Sequence, residues 1–357
     1  MIQNKKKTPS PEIIEIDKSS FFVFTLEQFL KKIPVRSRNI LSARFGLLGK
    51  SAETLEEIGQ TYAVTRERVR QIIMSALGFL AEEREHPLFK EAAKRIVSAL
   101  EEKGGIVRTE VLLDMLAPED TKERGALLVF IECLSSVKET KATKECEKSY
   151  ILKDFSFQLW EKVKNEAIRI LKTGNQALSS SELFLQFQLK NETVDEQTMV
   201  HFLAVSKEVK QNVFGKWGLS QWSDIKPRGT REKAYLVLKT TGKLLHFREI
   251  ASLIDSYGLK STKKTQSHPQ TVHNELIKDN RFILVGRGTY ALAEWGYKKG
   301  TVREVLDEIL RKSDKPLSRE EILSQILKIR QVKKSTVIIN LNSFFQRVGK
   351  DVYTVKK

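Results

Sequence analysis

The sequence predicts a mainly α-helical protein in which a helix-turn-helix near the N terminus precedes four winged-helix repeats, each of three helices and a β-hairpin. Two observations lead to this prediction. Residues 54–80 have the spacing of a helix, a tight turn and a second helix with one apolar face. From residue 84 onward, a motif built around a glutamate recurs four times, which is typical of a repeat architecture.

The second helix of the helix-turn-helix carries an apolar stripe at i, i+3, i+4, i+7, i+8 and i+11, formed by Val69, Ile72, Ile73, Ala76, Leu77 and Leu80. Thr65 is expected to cap its N terminus. Thr54 and Glu57 have the spacing of a capping box for the preceding helix. The four residues 61–64 are left as the turn.

Charged and amide side chains occupy the other face of the second helix: Arg66, Glu67, Arg68, Arg70 and Gln71. Arginine donates two hydrogen bonds to guanine, glutamine pairs with adenine, and glutamate accepts from cytosine. In a helix-turn-helix these contacts come from the first turns of the second helix. The alternative is a solvated amphipathic helix, but caps, turn and polar face coincide in a chain of net charge +17, which favours DNA binding.

Three segments give this region a family resemblance: Arg44-Phe45-Gly46-Leu47, Thr54-Leu55-Glu56-Glu57-Ile58-Gly59 and Val64-Thr65-Arg66-Glu67-Arg68-Val69-Arg70-Gln71-Ile72. Over about residues 26–80 the chain resembles region four of bacterial primary sigma factors. The resemblance implies recognition of the upstream promoter hexamer through Arg66, Glu67, Arg70 and Gln71, and docking on the flap of RNA polymerase. Sigma factors melt promoters with a separate region two. Because only residues 1–25 precede the sigma-like part, we expect no promoter-melting activity of its own.

The repeat motif is an apolar residue followed four positions later by a glutamate and an aliphatic residue. The four glutamates, Glu110, Glu182, Glu249 and Glu321, are 72, 67 and 72 residues apart. An aromatic residue with an aliphatic residue two positions later closes each repeat. We therefore expect a flexible tail (1–20), the sigma-like part (21–83), and four repeats (84–157, 158–227, 228–298 and 299–357).

The third repeat has a family resemblance of its own. Leu245 to Trp295, with His268-Pro269-Gln270-Thr271-Val272 and the ending Gly288-Thr289-Tyr290-Ala291-Leu292-Ala293-Glu294-Trp295, resembles the HARE-type helix-turn-helix. In the second repeat, Trp217-Gly218-Leu219-Ser220-Gln221-Trp222 is similar to the ending of that domain in the delta subunit of bacterial RNA polymerase. The first and fourth repeats are assigned by periodicity alone.

The positive charge is concentrated at the C-terminal end, since residues 228–357 carry +14 while residues 84–158 carry −1 and 159–227 carry +1. Such a surplus attracts the DNA backbone. The DNA-contact candidates of the third repeat are Lys263, Lys264, Gln270, His273, Asn274, Lys278 and Arg287. Those of the fourth repeat are Lys333 and Lys334, together with Thr336, Asn340 and Arg347. A solvated face on a protein-binding winged helix is the alternative reading.

No pattern in the sequence indicates catalysis, a metal site or a cofactor. His268 and His273 are five residues apart and have no partners at zinc spacing. Glu101 and Lys103 have nuclease-like spacing but stand at a polar helix end, so we expect a protein that is not an enzyme. The two cysteines suggest no disulfide framework. No apolar run is long enough to span a membrane and no signal core is present, which predicts a cytoplasmic, nucleoid-associated protein.

Two functional hypotheses follow. The first is a transcription regulator that reads promoter-like double-stranded DNA with residues 54–80 and holds flanking DNA with its basic repeats. The second is an RNA polymerase-associated subunit, similar to delta, whose near-neutral repeats bind protein and which has little direct affinity for DNA.

Overall fold

The computed structural model describes residues 20–118, 120–188, 194–259, 266–297, 299–313, 315–329 and 332–356. The expected flexible tail lies outside the described residues except for Ser20, and so do Lys263 and Lys264. Helices predominate, with short antiparallel sheets, which confirms the mainly α class. The chain forms two compact units: the described residues of 1–170 with 181–209, and those of 171–180 with 210–357.

The sigma-like part consists of four helices: α1 (Phe21–Leu30), α2 (Val35–Phe45), α3 (Leu55–Tyr62) and α4 (Arg66–Glu82). Pro34 caps the start of α2, where its missing N–H costs nothing, and Gly46 ends that helix in the left-handed conformation at φ 70°. Phe21 and Phe22 are the first two residues of α1, and both are buried.

The first repeat contains α5 (Pro87–Glu102), β1 (Ile106–Arg108), α6 (Thr109–Leu116), α7 (Thr121–Cys133), β2 (Val137–Thr140) and β3 (Ser149–Leu152). Its Glu110 lies in the first turn of α6, as the repeat motif predicts. The strands β1 and β2 both pair antiparallel with β3. The strand β1, which adds a third strand to the predicted hairpin, was not predicted.

One hydrophobic core extends through the sigma-like helices and the first repeat. The ring of Phe22 in α1 lies 6.0 Å from that of Phe130 in α7, and the ring of Phe29 lies 6.1 Å from that of Phe89 in α5. Aromatic pairs at these separations contribute to stability beyond the area they bury. The predicted boundary between residues 83 and 84 therefore falls inside a continuous core.

Two further contacts join α7 to the sigma-like helices. The carboxylate of Glu123, only 2% exposed, accepts hydrogen bonds from the backbone N–H groups of Phe22 (2.6 Å) and Val23 (2.8 Å). These are N–H groups of the first turn of α1, which have no partner within the helix. At Gly125, α7 lies so close to the end of α2 that a Cβ atom would be 2.0 Å from the carbonyl oxygen of Phe45.

The second repeat contains α8 (Phe157–Gly174), α9 (Ser180–Gln188), α10 (Glu196–Ala204), β4 (Val209–Gln211) and β5 (Trp217–Leu219). In the first compact unit, the indole N–H of Trp160 donates to the carbonyl oxygen of Phe202 at 2.9 Å. The ammonium group of Lys164, whose side chain is 2% exposed, pairs with Glu145 and, at 2.9 Å, with Glu208. These contacts hold the first part of α8 against the wing of the first repeat and against α10.

The third repeat contains α11 (Thr230–Thr241), β6 (Leu245–His246), α12 (Phe247–Ser256), α13 (Pro269–Ile277), β7 (Phe282–Gly286) and β8 (Thr289–Leu292). The fourth contains α14 (Val302–Arg311), β9 (Leu317–Ser318), α15 (Arg319–Ile329), α16 (Lys334–Phe344), β10 (Gln346–Gly349) and β11 (Val352–Thr354). Each has its own core and a three-stranded sheet in which the last strand is central. Ser318 and Glu321 form a capping box at the start of α15.

Candidate nucleic-acid interface

The turn between α3 and α4 is fixed by caps on both helices. The Thr54 hydroxyl accepts from the N–H of Glu57 (3.3 Å), and the Glu57 carboxylate accepts from the N–H of Thr54 (2.7 Å), which confirms the predicted capping box. The same backbone hydrogen bond lowers the pKa of Glu57. The Thr65 hydroxyl caps α4 by accepting from the N–H of Arg68 at 3.2 Å.

The turn itself is two residues shorter than predicted, because α3 continues through Tyr62. Ala63 adopts the left-handed conformation at φ 54°, and the N–H of Val64 donates to the carbonyl oxygen of Gly59 at 3.0 Å. A Cβ atom at Gly59 would lie 2.7 Å from the Val64 carbonyl oxygen. The close approach of the turn to α3 therefore depends on a glycine at this position.

The predicted apolar stripe of α4 faces the core. Val69, Ile73, Ala76, Leu77 and Leu80 are buried and Ile72 is half-buried. On the other face, all five predicted candidates are exposed: Arg66, Glu67, Arg68, Arg70 and Gln71. The sequence-derived division of this helix into a packing face and an open polar face thus agrees with the structure.

Side chains on the open face of α4 pair with one another. The guanidinium of Arg70 donates to both carboxylate oxygens of Glu67, with Nε–Oε2 and Nη2–Oε1 distances of 3.0 and 2.8 Å. Arg68 donates to Gln71 Oε1 at 3.2 Å. The hydrogen bond from Arg70 lowers the pKa of Glu67 and raises that of Arg70. Because both side chains are more than half exposed, this ion pair contributes little to stability and opens at low cost.

A second basic group, which the sequence reasoning did not select, lies beside this face. Arg44, at the end of α2, donates to the carbonyl oxygen of Glu53 at 3.0 Å. With Arg66 it lines a surface pocket of about 440 Å³ beside the first turn of α3. Arg44 stands in the quoted Arg44-Phe45-Gly46-Leu47 segment, but nothing in local periodicity indicates that this side chain adjoins the start of α4.

In the third repeat the candidates separate into two groups. Gln270, Asn274 and Lys278 are exposed on α13 or at its end, and Arg287 is exposed in the turn between β7 and β8. His273, beside Gln270 on α13, is half-buried, and its Nδ1 lies 3.0 Å from the hydroxyl of Tyr290. Its ring also packs against Phe247 at 4.5 Å. His273 therefore joins α13 to the hairpin, and its contact with DNA stays a prediction.

In the fourth repeat, the two lysine candidates are accessible, whereas Asn340 and Arg347 have local partners. Lys333 and Lys334 are exposed at the start of α16. The Asn340 amide donates to the carbonyl oxygen of Thr336 at 2.8 Å, within the same helix. Arg347, in β10, donates to the carbonyl oxygen of Gly349 at 3.1 Å. The open basic surface is thus at the N terminus of α16.

The third helices of the four repeats differ in exposure. On α7, eight of thirteen residues are buried: Glu123, Gly125, Ala126, Leu127, Val129, Phe130, Ile131 and Cys133. On α10, whose residues are all described, only Gln197 is exposed. By contrast, α13 and α16 each have an open face. In the first two repeats this helix is used for packing, whereas in the last two it is accessible.

The fold and these faces define a helix-turn-helix protein with several such domains. Residues 29–81 match the family described as Sigma-70, region 4, and residues 229–295 match HARE-HTH, a helix-turn-helix family whose description includes restriction endonucleases. Residues 29–81 are therefore a sigma region-four domain and residues 229–295 a HARE-type domain, which confirms both resemblances. The similarity to the delta subunit stays a prediction.

Curated relatives match the sigma-like part. The chain is 44% identical over 66 residues to the RNA polymerase sigma factor SigA of Nostoc sp., which is 18% of this chain and 17% of that protein. The SigA proteins of Microcystis aeruginosa and Synechocystis sp. match equally, with 16% of each covered. The chain thus spans about a sixth of the length of these relatives.

Two features are absent from the part of the chain that the structure describes. No helix within it combines the length and apolar character needed to cross a membrane. The same residues include no cluster of three or more His, Cys, Asp and Glu side chains placed to hold a metal ion.

Proposed function

We propose that this protein is a sequence-specific DNA-binding transcription regulator that recognises promoter-type DNA through α4 and works with bacterial RNA polymerase. The observation that carries the proposal is the open polar face of α4, held on a buried stripe within a sigma region-four domain. In this proposal Arg66, Arg70 and Gln71 donate to purine edges and Glu67 accepts from cytosine. Strand opening is left to other factors.

We assign the surface pocket beside α3 to a phosphate group of the DNA backbone. Two guanidinium groups, of Arg44 and Arg66, line it together with Glu56, and arginine favours phosphate. Phosphate contacts fix the register of a protein on the duplex, while base contacts select the sequence. We assign Arg44 the first role and Arg70 the second.

We assign different roles in DNA binding to the four repeats. The accessible third helices α13 and α16 lie in the part of the chain with the large positive surplus, so we assign DNA contacts to the third and fourth repeats. The third helices of the first and second repeats are packed, so we assign these two repeats a supporting role. Lys278, Arg287, Lys333 and Lys334 are the backbone contacts in this assignment.

A binding experiment tests the proposal. Duplexes are first enriched from a random pool by the full chain. Their affinities are then measured for Arg70→Ala and for the control Lys333→Ala, which also removes one positive charge from an exposed surface. Arg70→Ala is expected to relax the preference at its base pair by about tenfold. Lys333→Ala is expected to weaken the binding of all sequences alike. It should also lower the slope of log affinity against log salt concentration by about one. Equal effects of the two variants would contradict base reading by α4.

An apolar pocket on the sigma-like part supports the second candidate function, that of an RNA polymerase-associated interaction subunit. The pocket has a volume of about 310 Å³ and lies between α1 and α2, beside the 60% exposed Leu48. Its apolar lining is Val23, Leu26, Leu30, Leu47 and Leu48. We propose it as the contact with polymerase, whose flap the sigma resemblance implies as the partner surface.

Purified RNA polymerase core distinguishes the two candidates. Binding to core in high salt that Leu48→Asp abolishes, in a protein with no affinity for any duplex, would favour the interaction subunit. Sequence-selective duplex binding that Leu48→Asp leaves unchanged would favour the regulator. Arg70→Ala is the matched control, because it alters the DNA-reading face and leaves the pocket intact.

A further inference from the structure

The third helix of the third repeat presents one continuous exposed stripe. Gln270, Asn274, Ile277 and Lys278 stand at i, i+4, i+7 and i+8, which places them on one side of α13 and its C-terminal cap. All four are exposed, while the opposite side of the helix is packed in the core of the repeat. The stripe is therefore the part of α13 that can meet a groove of DNA.

The first half of the stripe consists of carboxamides. Gln270 Nε2 donates to Asn274 Oδ1 at 3.4 Å, so the two amide groups are adjacent on the free protein. A carboxamide offers both a donor and an acceptor, and this pair matches the N6 and N7 positions of adenine in the major groove. Neither residue carries the charge that suits guanine or cytosine.

The second half of the stripe contains a large apolar side chain that is open to solvent. Ile277 is 63% exposed. It lines a groove of about 450 Å³ together with Leu284 of β7, and residues 299–301 and Glu304 line the same groove. Among the base edges of the major groove, the partner for an apolar side chain is the C5 methyl group of thymine.

Adenine and thymine occupy the same base pair, so the two halves of the stripe indicate one target. We infer that the third repeat reads A·T base pairs in the major groove, with Gln270 and Asn274 on adenine and Ile277 against the thymine methyl group. This inference rests on the proposed DNA-binding function and adds the base composition that the third repeat selects. Lys278 within the stripe, which pairs with Glu275 at 3.5 Å, and the exposed Arg287 in the hairpin turn carry positive charge, which favours DNA over an apolar protein partner.

The thymine methyl group provides the test, because uracil forms the same base pair without it. A duplex enriched from a random pool by the full chain is prepared once with thymine and once with uracil, and both are bound to three proteins. Wild type is expected to prefer thymine by about fourfold per contacted methyl. Ile277→Ala should lower the thymine-to-uracil affinity ratio by about fourfold. Leu284→Ala, which trims the same groove away from the stripe, should keep the wild-type ratio.

Each other result overturns the inference in a recognisable way. If Ile277→Ala binds DNA with the wild-type ratio, the methyl contact is wrong while the proposed function stands. If wild type binds no duplex, the proposed function fails as well. If Ile277→Ala and Leu284→Ala both lose binding to RNA polymerase core and keep the wild-type thymine-to-uracil affinity ratio, the groove is a protein-docking surface. Equal melting temperatures of the three proteins exclude misfolding as the cause.

Discussion

Glu123 is expected to be the polar contact on which the junction between α1 and α7 depends. Glu123→Ala removes the acceptor for two N–H groups, those of Phe22 and Val23, at 2.6 and 2.8 Å. Within the described residues, no side chain caps α1 from its own N terminus, so nothing there replaces the lost acceptor. Leaving a buried donor unpaired costs about 1–3 kcal/mol. Because Phe22 is buried and Val23 half-buried, we expect a total of about 3 kcal/mol.

Hydrogen exchange measures this cost locally, which matters because a chain with two compact units is not expected to unfold in one step. A loss of about 3 kcal/mol corresponds to roughly a hundredfold faster exchange of the amides of α1. Amides of the third repeat serve as the internal reference. If α1 exchanges less than about threefold faster in Glu123→Ala, the junction is held by apolar packing alone and the assignment to Glu123 is wrong.

The pH dependence of the same junction gives an independent check. Burial raises the pKa of Glu123 above its ordinary value of 4.5, although the two N–H groups act in the opposite direction. A carboxyl with a raised folded-state pKa binds its proton more tightly in the folded protein. The part of the folding stability that comes from this tighter proton binding is therefore present below pH 4.5. It declines as the pH rises through the folded pKa. Relative to Glu123→Gln, wild type should lose protection of α1 over this range, and a gain would contradict the assignment.

Two further outcomes are expected. Gly59→Ala should disorder the turn before α4 and abolish DNA binding, because its methyl group would lie 2.7 Å from the Val64 carbonyl oxygen; retained binding with an unchanged melting temperature would show that the turn adjusts. Burial raises the pKa of the Cys133 thiol to about 12, so it should resist a disulfide reagent at about pH 8 in native protein and react once denaturant is added. Rapid modification without denaturant would mean that α7 opens from its core.

Local sequence signals predicted the helix-turn-helix well. The caps at Thr54 and Thr65 and the two faces of α4 depend on residues within a few positions of one another, so spacing is sufficient to predict them. The glutamate motif likewise located the second helix of the repeats, as Glu110 shows. The short strand before that helix was missed, because it pairs with a strand about forty residues later and two or three residues carry no period.

Contacts between distant segments were not predicted from the sequence. His273 has the spacing of a DNA-facing residue, but Tyr290 and Phe247 fix its ring within the repeat. The packing of α7 had a visible signal. Residues 126–131 are an uninterrupted apolar run, and a helix that is apolar on all sides is a buried helix. Which segment covers it is decided by shape, as the contact at Gly125 illustrates.

The continuous core of α1 to α7 limits how this protein can be divided. A fragment that ends at residue 83 would keep the whole sigma-like sequence but would leave Phe22 and Phe29 without the rings of Phe130 and Phe89. The smallest segment that retains every described partner of α1 runs through α7. Any exchange of the sigma-like helices between this protein and a sigma factor must therefore carry the first repeat with it, or replace the surface that α7 covers.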